Sequence, residues 1–151
     1  MTSFIVFFLL TAGAATLGAV FQPGPWYAAL DKPALTPPDW AFPVAWTLLY
    51  AMIAIAGWLL WRHRQRHSQG QTAVAAWGLQ LVLNAAWSWI FFGLHLTGVA
   101  LAEIIVLFAV ILVTIILGRN TSPLAAGLLG PYLAWVGFAT WLNYGIWRLN
   151  G

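Results

Sequence analysis

The chain has 151 residues, 62% of them hydrophobic and 6% charged, with a mean hydropathy of +0.85. A soluble domain carries roughly a quarter charged residues, so nine charges cannot coat a water-facing surface, and lipid is the implied solvent. The net charge of +3 rests largely on one short run, Arg62 to His67, which suits a lipid-headgroup contact or a topology signal better than nucleic acid; with no cysteine, disulfides and thiolate metal sites are excluded.

About 20 helical residues cross a hydrocarbon core. Five segments qualify, at about 3–21, 43–61, 72–94, 98–117 and 123–147. The expected fold is therefore an all-α membrane protein, a single domain of five transmembrane helices with a long ordered loop between helices 1 and 2. The first segment has no positive n-region and a longer apolar run than a signal peptide, so it reads as a retained span. Between the first two spans, WYAALDKPALTPPDWAFPVAW (26–46) holds four prolines, three tryptophans and three of the nine charges. Pro33, Pro37, Pro38 and Pro43 stiffen it, and Asp31 and Lys32 can pair locally. Trp26, Tyr27 and Trp40 need cover. Such a segment suits a roof over a cavity; the alternative is an interfacial segment with nothing beneath it.

Further along, the joints are RHRQRHSQGQ, the tight His95-Leu96-Thr97 and GRNTSP, where Asn120 and Ser122 can cap helix ends. Pro131 is expected to kink the fifth span. Ala14 and Gly18, and then Ala126, Gly130 and Ala134, form small-residue stripes that allow close helix contact. Of the eleven tryptophans, Trp26, Trp40, Trp58, Trp61, Trp77 and Trp147 lie near segment ends and fit interfacial anchoring. Trp46, Trp87, Trp89, Trp135 and Trp141 lie deeper and call for another role.

Polar side chains inside a bilayer are costly and therefore informative. Gln80, Asn84 and Ser88 recur every four residues on one face of the third span, and Trp87 and Phe91 extend that stripe. Trp135, Ala139 and Asn143 do the same in the fifth span, and Trp46 with Tyr50 in the second. Converging faces of this kind make an aromatic cavity with a few fixed hydrogen bonds. The competing reading is interhelical glue, which fits Gln80 best and leaves Asn84 and Asn143 open. Glu103, the one carboxylate in a predicted span, is either a proton-coupling site or an interface-reaching residue near its helix start, the latter preferred. His63 and His67 lie among arginines and make a poor metal site, so no metal is expected. Ser-His-Asp, carboxylate-pair and nucleotide-binding patterns do not occur.

Four stretches in order, WYAALDKPALTPPDW, FPVAWTLLY, LNAAWSWIFFG and PYLAWVGFATWLNYGIWRLN, resemble the TspO/translocator family, also called tryptophan-rich sensory proteins or peripheral benzodiazepine receptors. The resemblance covers nearly the whole chain. It implies a five-helix bundle, often a homodimer, that binds protoporphyrin IX, haem-related tetrapyrroles, isoquinoline drugs and sterols, with no obligatory cofactor. It implies a pocket lined by Tyr27, Trp46, Asn84, Phe91, Trp135, Ala139 and Asn143 and approached by Trp87 and Ser88. It also implies a sterol motif at Leu142, Tyr144 and Arg148, a pattern that two interface anchors would equally produce. The chain departs from the family at Leu35, where many members have tryptophan. It departs again at Ser88-Trp89, where many mitochondrial members have two prolines, so the third helix is expected to bend less.

Three functions compete: a receptor or sensor for tetrapyrroles, a light-dependent porphyrin-degrading enzyme using Trp46 and Trp135, and a transporter. In the leading reading a flat macrocycle stacks on Trp46 and Trp135 under Tyr27. The arginine run, Arg119 and the N-terminus share one side of the membrane, and the long loop and Arg148 share the other. The positive-inside rule puts the arginine run and N-terminus in the cytoplasm of a bacterial cell, inner or outer membrane undecided. A C-terminal alkaline phosphatase fusion is predicted to be active in cells; an inactive fusion with normal expression would reverse the orientation.

Overall fold

The structure, a computed structural model, describes residues 2–151. Among the described residues, five helices are long and apolar enough to cross a membrane. Helix α1 spans Thr2–Val20, and a short α2, Pro25–Ala29, lies within the long loop. Helix α3 spans Ala41–His63, and α4 spans Gly70–Ser88 and continues as a π-helical turn over Trp89–Gly93. Helix α5 spans Thr97–Thr121, and the last span is split into α6, Pro123–Leu128, and α7, Gly130–Asn150. Each predicted span is present, with ends displaced by a few residues. Helices are the open structures that satisfy every backbone group without water, and these sequences supply the length and apolarity that crossing requires.

The arrangement is a ring. Helix α1 packs on α3 and α4, α4 on α5, and α5 on α6 and α7. Helix α3 closes the ring against α6 and meets α7 only slightly. The half of the bundle away from the loop is therefore solid, with Ile53, Ala56, Leu60, Ile111 and Tyr132 fully buried. The other half leaves room between α3 and α7. Outward faces carry Leu, Ile, Val and Phe, as lipid contact demands.

Local signals explain the breaks. Pro131 lacks an amide hydrogen, and the fifth span breaks at Leu129, just before it. Ser122 caps α6 by accepting from the Ala125 amide at 3.4 Å, whereas Asn120 lies within α5. The α4–α5 turn uses His95 at φ 58°, a left-handed conformation that few non-glycine residues adopt. Without proline at Ser88-Trp89, α4 widens rather than running on regularly. The Leu94 amide donates to the Trp89 carbonyl at 2.9 Å, five residues back.

Three tryptophans differ from expectation. Trp77 is not interfacial: it is 2% exposed, its Nε1 donates to the Ile53 carbonyl at 2.9 Å, and its indole fills the notch at Gly57. Trp89 and Trp141 face outward, because the faces that bear them oppose lipid. The Ala14–Gly18 stripe packs inside the bundle, with Gly18 facing Ser88 and Tyr50. The second stripe is interrupted at Leu129, leaving Ala126 buried and Ala134 exposed.

A Cβ at residue 57 would overlap the Trp77 ring. Gly57→Ala is therefore predicted to cost about 1–3 kcal/mol through overpacking. Thermal unfolding in detergent would show a lowered midpoint; an unchanged midpoint would contradict the packing described.

Candidate functional site

The roof is built first by α2. Pro25 opens this short helix, and its single turn sends Trp26 and Tyr27 down towards the bundle. The Trp26 ring stacks on His95 at 4.0 Å and 11° and meets Phe91 edge-on at 5.8 Å. Tyr27 is 9% exposed and meets Phe92 edge-on at 5.5 Å. Trp40, by contrast, stays exposed rather than folding down. Lys32 does not pair with Asp31 as expected. Its Nζ donates to the carbonyls of Leu30 at 3.1 Å and Ala28 at 3.4 Å and lies 4.6 Å from the Tyr27 ring centre. Burial, and then the nearby Asp39 carboxylate, push the Tyr27 hydroxyl above its usual pKa, so it remains a neutral hydrogen-bond donor.

Asn150, at the end of α7, ties the roof down. Its Oδ1 accepts from the Asp31 amide at 3.0 Å, and its Nδ2 donates to the Asp31 carbonyl at 2.9 Å and to the Ile146 carbonyl at 2.8 Å. Pro33 rests in contact range of Gly145, where no side chain intervenes.

Beneath the roof lies a cavity of about 490 Å³, within the usual range for a small-molecule site. Helix α1 supplies Ala15, Gly18 and Ala19; α3 supplies Phe42, Trp46 and Tyr50. The end of α4 and its π-turn supply Trp87, Ser88, Phe91 and Phe92. The widened turn lets two consecutive residues, Phe91 and Phe92, both reach the cavity. Helix α7 supplies Trp135, Ala139, Leu142, Asn143 and Ile146. Asp39 and Tyr27 complete the mouth.

The helices around this space are cross-braced by hydrogen bonds. Tyr50 donates to Asn84 Oδ1 at 2.7 Å, and Asn84 Nδ2 donates to the Tyr132 hydroxyl at 2.9 Å, joining α3, α4 and α7. Trp87 Nε1 donates to Asn143 Oδ1 at 3.0 Å, and Asn143 Nδ2 donates to the Thr97 carbonyl at 2.8 Å, joining α4, α7 and α5.

The expected site residues thus divide. Tyr27, Trp46, Trp87, Ser88, Phe91, Trp135, Ala139 and Asn143 share the cavity wall. Asn84 does not line it: the residue is 4% exposed, and both amide ends are committed to tyrosines. The glue expected of Gln80 is supplied by Asn84 instead; the buried Gln80 amide has no hydrogen-bond partner among the described residues. Leu142 lines the cavity, whereas Tyr144 and Arg148 are exposed on another face. Those three positions therefore form no continuous surface. Trp46 and Trp135 lie 6.3 Å apart at 83°, so one planar guest cannot lie flat on both. Glu103 sits two turns into α5; its carboxylate oxygens are buried without hydrogen-bond partners among the described residues, outside the cavity wall.

Tyr50 is legible in the sequence as part of the second span's face, one turn beyond Trp46, whereas Tyr132, Asp39 and Phe42 are not. Those three gained their roles only when separate helices met.

A five-span membrane bundle with a roofed aromatic cavity is the class that fold and site define. The TspO/MBR family model matches residues 4–148, and the chain belongs to that family. It is 35% identical over 150 residues to Protein CrtK of Rhodobacter capsulatus, covering 99% of this chain and 94% of that one. It is 37% identical over 147 residues to the Tryptophan-rich sensory protein of Cereibacter sphaeroides, covering 97% and 90% of the two chains. With the human Translocator protein it shares 41% identity over 128 residues, covering 83% of this chain and 75% of that one.

Removing the Asn150 clip should loosen the roof specifically. In Asn150→Ala the Asp31 amide is predicted to exchange about tenfold faster, the equivalent of one to two lost hydrogen bonds, while core amides of α5 are unaffected. Unaltered exchange at Asp31 would show that the roof is held by other contacts.

Proposed function

We propose that the protein is a membrane receptor or sensor that takes protoporphyrin IX or a related tetrapyrrole into the roofed cavity. The observation that carries this reading is a roofed, partly open space walled by indole and phenyl rings from three spans, with a hydrogen-bonding tyrosine above it. Flat, largely apolar guests gain from stacking on such rings and from the exclusion of water. The near-perpendicular Trp46 and Trp135 suggest a specific pose, the macrocycle face lying on one indole and its edge meeting the other. The Ser88 and Tyr27 hydroxyls are available for polar edges, while Asn143 is already committed to Trp87 and Thr97. The family relatives named as sensory and translocator proteins are consistent with ligand recognition in a membrane.

Sterols and isoquinoline drugs are further guests of suitable size and polarity in this reading. The transporter alternative is weaker, since Glu103 stands outside the cavity wall and leaves no carboxylate in a span to couple ligand to protons. The arginine-run end is assigned to the cytoplasm and the roof to the opposite side.

Protoporphyrin IX is predicted to quench tryptophan fluorescence saturably in nanodiscs. A Trp46→Ala/Trp135→Ala double variant should weaken binding at least about tenfold, since base- or ring-stacking contacts are each worth roughly 1 kcal/mol. Equal affinity in a folded double variant would remove the cavity as the site.

A further inference from the structure

Among the described residues, Asp39 is the one charged residue in the cavity wall, and it stands at the mouth. The chain's one lysine, Lys32, is not part of the wall; its ammonium is engaged by the Leu30 and Ala28 carbonyls and lies 4.6 Å from the Tyr27 ring centre. Among the described residues, no arginine or histidine contributes to the wall. The remaining surface is dominated by aromatic rings, among them Trp46, Trp87, Phe91 and Trp135. Ring faces are electron-rich and attract cations, most strongly where water is excluded. A carboxylate beside such rings, with no basic residue in the wall itself, biases the potential of the cavity towards one sign.

We propose that the cavity is selective for charge and takes lipophilic guests whose polar end is cationic, Asp39 supplying the counter-charge at the mouth. This inference rests on the receptor reading and adds a ligand class to it. Neutral guests enter with the apolar contribution alone. Guests with carboxylate arms must hold those arms away from Asp39 and bind less tightly. Asp39 is exposed, so its own share is screened by water and salt and amounts to a modest multiple in affinity. The ring faces supply the remainder of the preference.

A matched series on one macrocycle isolates the effect: protoporphyrin IX as the diacid, its dimethyl ester, and a diamide bearing two trimethylammonium arms. Tryptophan quenching is measured in nanodiscs of zwitterionic lipid, so that membrane partitioning does not sort the probes by charge. The cationic form is expected to bind about tenfold tighter than the diacid, with the ester between them. Asp39→Asn should shrink that gap to about threefold, and Asp39→Lys should reverse the order. High salt should narrow the wild-type gap. Equal binding of the three forms, or an order unmoved by both substitutions, would overturn the inference while leaving the cavity reading intact. Failure of all three forms to quench would overturn the receptor reading and this inference together.

Discussion

Asn84 spends both ends of its amide on tyrosines from two other helices, and the open half of the bundle depends on that bond pair. In lipid, apolar helices gain little by touching one another rather than acyl chains. A cavity between them would be expected to collapse or fill unless something fixes their spacing. The Tyr50–Asn84–Tyr132 chain fixes α3, α4 and α7 from below, and Trp87–Asn143–Thr97 fixes α4, α7 and α5 beside the space. These groups have no water to turn to, so breaking one bond leaves its partner unsatisfied in an apolar medium. The polar side chains of the interior are therefore largely structural, and the cavity is what their geometry leaves open.

The roof follows a different logic. It lies at the membrane surface, where backbone groups can find water, so its order comes from stiffness and anchoring. Proline restricts the unfolded chain, α2 turns two aromatic rings downwards, and Asn150 holds the backbone of Asp31 at two points. Asp39 stays free of these contacts at the edge of the opening. In the proposed reading the fixed charge is confined to the mouth, while the interior offers shape and ring surface.

Much of the fold was legible because crossing a membrane leaves a long apolar signature in every span. The aromatic faces were legible too, since a repeat of four residues brings Trp135, Ala139 and Asn143 to one side of a helix. Periodicity could not say which polar residue would be consumed by a neighbour. Asn84 and Gln80 lie one turn apart on the same stripe, yet Asn84 meets two tyrosines and Gln80 meets no partner among the described residues. Trp77 near a segment end looked interfacial until Gly57, on another helix, made room for its ring. The π-turn at Trp89–Gly93 carries no local residue signature. Without proline to break the helix, it brings Phe91 and Phe92 together at the cavity.

The account stands on one spatial claim, that a planar guest occupies the room beneath Tyr27. The most direct measurement is an experimental structure of the protein with bound porphyrin in a lipid nanodisc. The account predicts macrocycle density enclosed by Trp46, Trp87 and Trp135 under an ordered 26–46 segment. Density lodged against the outward indoles of Trp89 or Trp141, with the interior empty, would contradict it.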